Sequence, residues 1–384
     1  MNNEQRLRSA LSGEADRIMT YDYLDNTDVL KIYGGYKEDK RYSFEELIDI
    51  NARALKGVGL DITRAVYDPS HHWMHGTVDN FKRYHGADAA GWRVEQSGET
   101  GWIAERPFHD LEGLKMHLPE IADPTRIEER YLPYMKAVLE GFHAHDVVHI
   151  GVVDAPLCNA YTYTDLELFS MLIYDAPEIV ASLIQCFTDA AAVSSRLYTT
   201  LPHSVPLHFM GDDCAGSTGP IFSPNFIRES VLPHWKRLAQ PLKDIGGSIM
   251  FHTDGRYGQL LPIIAEELKA DGLNPIERAG CNDIFEIYQM YPELIYFGNV
   301  CCEETLPFGN PFDVEDETLE LIEKIGSNGK IFIGSSSEVH EAVPLKNIET
   351  MYGTVHEYGS LPVDVERIRS RRSQIASRRM MRKD

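Results

Sequence analysis

The sequence predicts an α/β protein built on a parallel sheet, and two patterns carry that prediction. Short apolar runs alternate with helix-like segments, as in repeated strand–helix units. Nearly every apolar run also ends, on its C-terminal side, in Asp, Glu, His, Cys or Ser. Seven runs qualify as strands: Ile62–Tyr67, Val147–Val153, Val205–Met210, Ser248–Phe251, Leu273–Ile276, Leu294–Val300 and Ile331–Ile333. An eighth would close a (β/α)8 barrel and bring the polar tips to one mouth. An open doubly wound sheet would set them along a crevice instead.

The remaining elements follow in chain order. Residues 4–19 read as an amphipathic helix, with Leu7, Leu11, Ala15 and Ile18 on one stripe. Ser43 followed by Glu46 has the spacing of a capping box and starts a second helix. Trp92–Phe108 alternates polar and aromatic residues around Gly98 and Gly101, the pattern of a β-hairpin. Helix-like segments then fall at Leu166–Leu183, Pro224–Leu242, Gln259–Leu268, Ile284–Met290 and Asp316–Ile325. The expected organisation is a helical extension over 1–60, a barrel over 61–362 and a basic tail over 363–384. From Arg367 to Lys383 that tail holds eight Arg/Lys and no acid, the composition of a solvated helix or frayed end.

Composition limits the function classes. A formal charge of −22 argues against a nucleic-acid partner, because the body of the chain offers no cationic track. No apolar run approaches the ~20 residues of a membrane span, and Met1–Arg8 is too polar for a secretory leader. Six cysteines (158, 186, 214, 281, 301 and 302) without a CxxC pair fit a reducing cytoplasm. Neither a GxGxxG after the first strand nor a GxxxxGK[ST] is present, which disfavours nucleotide binding. The most chemically loaded strand end is GSIMFHTDG, Gly247–Gly255. There His252 and Asp254 stand two apart and can share a cavity, as metal ligands or as an acid–base pair.

Six segments in register resemble the uroporphyrinogen decarboxylase superfamily, which includes methyltransferases of corrinoid-dependent methyl transfer. They are QRLRSALSGEADRIMT, DLELFSMLIYDAPEIV, GDDCAGSTGPIFSPNFIRESVLP, FHTDGRYGQLLPIIAEELKADGLNPIE, FGNVCCEETLPFGNPFDVEDE and PLKNIETMYGTVHEYG. The resemblance runs from near residue 5 to about residue 360 and implies the (β/α)8 TIM barrel with an N-terminal helical extension. The methyltransferase-like branch is the better match. Decarboxylases of the family hold a many-carboxylate porphyrinogen on an arginine-rich segment after the opening helix. Here that region, YDYLDNTDVLKIYGGYKEDK, has no arginine.

In those methyltransferases a His-x-Cys pair and a later Cys bind zinc. Carried over by position, the ligands fall on His252, on Asp254 in place of Cys, and among Ser335–Ser337, where the thiol is lost. Related zinc enzymes add a Glu after the next strand, and Glu277 stands there. The expected metal ligands are therefore His252, Asp254 and Glu277. Trading thiolates for carboxylates hardens the site toward oxygen or nitrogen on the substrate.

Asp212 or Asp213 is expected to donate a proton or hold substrate, with Asp154 in the same pocket by its position after a strand. His71, His72 and Trp73 line the mouth, Tyr161 caps a methylated group, and Cys301 is a soft contact or reactive thiol. The implied function is methyl transfer from a small O- or N-methyl compound to a corrinoid carried by a separate protein, assisted by a divalent metal such as zinc. Decarboxylation of a polycarboxylate, or metal-free binding on the same barrel, are the alternatives. Related enzymes are commonly dimers, so a homodimer is an open expectation.

Overall fold

A computed structural model describes residues 1–70, 91–97, 100–118, 124–278 and 282–380, and its parallel strands form a closed ring. The eight staves are β1 (Met19–Asp22), β2 (Ile62–Thr63), β3 (Val148–His149, resuming as Gly151–Asp154), β4 (Leu207–Gly211), β5 (Ser248–His252), β6 (Gly272–Asn274), β7 (Ile295–Phe297) and β8 (Ile331–Ile333). Each pairs with the next, and β8 returns to β1. Stave β3 bends at Ile150: its first half pairs with β2 and its second with β4.

The eighth stave, β1, lies inside the 1–60 segment expected to be a helical extension, so the barrel starts at Met19 and not near residue 61. The opening helix is correspondingly short, Asn3–Leu11. The reason is polarity: Thr20 and Asp22 are buried, yet neither reads as core. Partners from distant segments offset their burial. Thr20 N donates to Asp61 at 3.0 Å, and Asp22 accepts from Ser335 N and Tyr352 Oη, both at 2.8 Å.

Inward-facing Met19, Tyr21, Ile62, Phe209, Met250 and Phe297 fill the barrel. Leu7 and Ala10 of the Asn3–Leu11 helix pack into the same core and stop its N-terminal end. Outside, the capping box forms as its spacing predicts, with Ser43 and Glu46 closing the start of helix Phe44–Val58. The predicted hairpin is present as antiparallel Arg93–Ser97 and Thr100–Glu105. The segment expected as one helix over Leu166–Leu183 is two, Leu166–Asp175 and Pro177–Tyr198, because Pro177 suits a helix's first turn, whereas inside one it would remove a hydrogen bond and clash with the preceding turn.

Over its described length the basic tail is a largely exposed helix, as expected, but one docked along one face. Helix Val365–Met380 lies on helix Pro311–Ile325, burying Ile368 and Ile375. Arg371 pairs with Glu315 at 2.5 Å, Arg372 with Asp316 at 3.0 Å and Arg369 with Glu323 at 2.7 Å. Among the described residues no helix is long and apolar enough to cross a membrane.

His208, on β4, is fully buried with neither ring nitrogen hydrogen-bonded, and burial pushes its pKa down to about 4. The unfolded chain takes up that proton near 6.5, so the folded state loses stability as pH falls from about 6.5 to 4, by about 1.4 kcal/mol per pH unit. In a His208→Leu variant this slope is absent. Urea unfolding at about pH 7.5 and about pH 5 should show the variant gaining about 2 kcal/mol relative to wild type at the lower pH.

Candidate active site at the barrel mouth

The C-terminal strand ends meet at one rim, and two of them build a cluster of three side chains. His252 closes β5, Asp254 follows it by two residues, and Asp213 follows β4. Backbone pairing of His252 with Gly211 sets these segments side by side, and the Asp254 N–H donates to Asp213 Oδ1 at 3.3 Å. His252 Nε2 lies 3.7 Å from Asp213 Oδ1 and 3.7 Å from Asp254 Oδ1. These distances are too long for hydrogen bonds. Ligand atoms about 2.1 Å from one tetrahedral ion stand about 3.4 Å from one another, so the spacing fits three ligands on a shared cation.

Two further observations support that fit. His252 Nδ1 donates to Asn274 Oδ1 at 2.8 Å, while Asn274 Nδ2 turns to Phe297 O at 3.4 Å. The amide orientation thus fixes the imidazole tautomer and leaves a lone pair on Nε2, facing the two acids. Burial, with the nearby Arg64 charge, holds the imidazole pKa below its usual value, which keeps that lone pair available. Asp254 Oδ1 is buried and has no hydrogen-bond partner. Burial and the Asp213 charge push its pKa up to about 7. A cation between the carboxylates would relieve both costs.

Glu277, expected as a ligand, lies outside this three-residue cluster, whose third member is Asp213. The Glu277 Oε2 accepts the Gly255 N–H at 3.0 Å, beside the cluster, and burial and the Asp254 charge raise its pKa.

Asp212, expected as a catalytic candidate, is a structural acceptor. It is almost fully buried and takes N–H bonds from Leu157 at 3.1 Å, Cys158 at 2.6 Å and Trp235 Nε1 at 2.7 Å. Helix Pro156–Thr164 has Ala155 at its cap position and no local side-chain cap. Asp212 supplies that cap from the neighbouring strand end. Burial pushes its pKa up to about 7 against those three donors.

Asp154 stands at the same rim in register with Gly211 but outside the cluster. Tyr161 donates to the Asp213 carbonyl at 3.0 Å, which ties helix Pro156–Thr164 to the cluster. Cys301 is buried and does not join the cluster; its N–H donates to Glu317 Oε1 of the outer helix at 3.0 Å. His71, His72 and Trp73 lie outside the described residues.

One mouth residue was not singled out from the sequence. Arg64, just past β2, lies against the Tyr23 and Phe209 rings at 4.4 and 4.3 Å, and its Nε donates to Tyr21 Oη at 3.2 Å. Its only sequence signal was a lone cation at a strand end. A second three-residue group, Glu4, His143 and His203, lies at the opposite end of the barrel near the opening helix, away from the strand tips.

A barrel with a carboxylate–imidazole mouth at its C-terminal rim defines the class of protein. The family profile described as uroporphyrinogen decarboxylase (URO-D) matches residues 85–358, and the chain belongs to that family. The fold is similar to that of a methyltransferase from Methanosarcina mazei, with a TM-score of 0.71 and 16% identity over 93% of this chain and 99% of that one. No curated protein matches the sequence.

Proposed function

We propose that this protein transfers a methyl group from a small methylated compound to a corrinoid carried by a partner protein. The observation that carries the reading is the Asp213–His252–Asp254 cluster, with its oriented Nε2 and its unpartnered Asp254 Oδ1. The methyltransferase likeness of the fold supports it. These three residues would hold a divalent metal, zinc being one that accepts His plus carboxylates. The metal when bound supplies Lewis acidity to a heteroatom, and the corrinoid supplies the nucleophile that accepts methyl.

The chain's own residues do the rest. When the carbon–heteroatom bond breaks, both electrons stay on the heteroatom, which then takes a proton. Glu277 would give it: the Gly255 N–H fixes its carboxyl beside the cluster, and burial and the Asp254 charge raise its pKa. In this reading Asp213 and Glu277 exchange the roles expected of them. Decarboxylation of a polyanionic porphyrinogen fits less well, because acids crowd this rim and Tyr21–Lys40 contains no arginine.

Mixing the purified protein with cob(I)alamin and a panel of methyl ethers and amines should yield methylcobalamin absorbance, with about one divalent metal per chain by elemental analysis. Metal-free protein with full activity, or no transfer from any compound, ends the reading. Asn274→Ala should weaken metal retention by about 10–100-fold in a chelator competition, because the imidazole loses its orienting partner.

A further inference from the structure

We infer that Arg64 is an anion anchor, and that the methylated substrate carries a carboxylate which Arg64 grips while its heteroatom faces Asp213, His252 and Asp254. This inference rests on the methyl-transfer reading of the mouth and names the substrate class for it.

Three features of Arg64 point this way. Its guanidinium is packed between aromatic rings rather than against an acid, at 4.4 Å from the Tyr23 centroid and 4.3 Å from that of Phe209. Among the described residues its one hydrogen bond runs from Nε to Tyr21 Oη, and no carboxylate pairs with it. Among the described residues Nη1 and Nη2 have no protein acceptor, although the half-buried guanidinium always carries its charge. A planar fork with two free amino groups is matched by a carboxylate, bonded at both oxygens.

The placement relative to the cluster is the second link. Phe209 stands between the two: its ring lies 4.9 Å from that of His252 and also carries the guanidinium. A compound with its heteroatom at His252 therefore has Arg64 within reach of its far end, across a span that one small molecule covers. Of the acids of this rim, Asp254 acts on Arg64 directly, while Glu338 lies near Asp254 and Glu303 near Glu277. A substrate carboxylate would give Arg64 the charged hydrogen-bond partner that the described residues do not supply. A single-carboxylate substrate matches its charge, whereas an octa-anion would meet the acids.

Binding separates this inference from the chemistry. The as-purified protein is titrated calorimetrically with 4-methoxybenzoate and methoxyacetate, and with their neutral counterparts anisole and 1,2-dimethoxyethane. At least one carboxylated compound is expected to bind about 10–100-fold tighter than its neutral partner, the worth of hydrogen bonds to a charged group. Arg64→Gln should erase that preference while leaving the melting transition cooperative. Arg64→Lys keeps the charge without the fork and should retain part of the preference, so it carries the test if Arg64→Gln does not fold. Equal affinity for charged and neutral partners in the wild type, binding of neither, or a full preference surviving in either variant overturns the proposal. A preference without any methyl transfer leaves the anion site standing and ends the reading of the reaction. Transfer from neutral and carboxylated ethers alike does the reverse.

Discussion

Replacing His252 with alanine should strip the protein of its metal and lower methyl transfer by about a thousandfold. The imidazole is the only neutral donor in the cluster, and its Nε2 is the atom nearest both acids. Without it two carboxylates remain, side by side and partly desolvated, a weaker and harder site. Lewis-acid activation is worth several kcal/mol of barrier, and about 4 kcal/mol corresponds to that thousandfold. The fold should tolerate the change, since the side chain contributes one hydrogen bond to Asn274 and a ring contact to Phe209. Elemental analysis and a corrinoid methylation assay on the same preparation check it. Full metal content in the variant, or an unchanged rate, would show that the cluster is a hydrogen-bonding group and not a metal centre.

The second large effect is on stability. Asp212→Ala should destabilise the protein by about 3–5 kcal/mol, because it leaves three buried N–H groups without an acceptor. Two belong to the first turn of helix Pro156–Thr164 and the third to fully buried Trp235. Asp212→Asn should recover only part of the loss, since its amide end presents hydrogens to groups that also donate. Urea midpoints measure both. The activity of folded Asp212→Ala should also drop, because helix Pro156–Thr164 holds the Asp213 backbone through Tyr161. A loss of activity with full stability would return Asp212 to the catalytic group.

The architecture was largely legible, because apolar staves announce themselves and polar tips mark their C-terminal ends. β2, β7 and β8 fall inside expected runs, and β3, β4, β5 and β6 each overrun theirs by one residue, at Asp154, Gly211, His252 and Gly272. Of the missing stave, Met19–Asp22, only Met19 fell in the expected helix over residues 4–19, and the rest was assigned to no element. Its outward side chains, Thr20 and Asp22, are polar groups whose partners arrive from positions 61, 335 and 352. Periodicity cannot report partners that are supplied across the fold.

The site shows the same division. His252 and Asp254 were legible because two ligating side chains sit two residues apart at a strand end. Asp212 and Asp213 were not separable, although adjacent, because only the packed structure turns one toward Trp235 and the other toward His252. Glu277 was placed correctly along the chain, yet the Gly255 N–H captures it. Arg64 went unnoticed because its distinction is the lack of a partner, a property of the folded surroundings and not of its neighbours in sequence.

The opening helix has a bearing on traffic. Leu7 and Ala10 lodge in the far end of the barrel and plug it there among the described residues. Whatever enters past Arg64 and His252 leaves by the same threshold, and any methyl acceptor too large to pass inside must wait there for its turn. Small donor first, bulky acceptor second, spent donor last is the sequence of visits that such a cul-de-sac enforces.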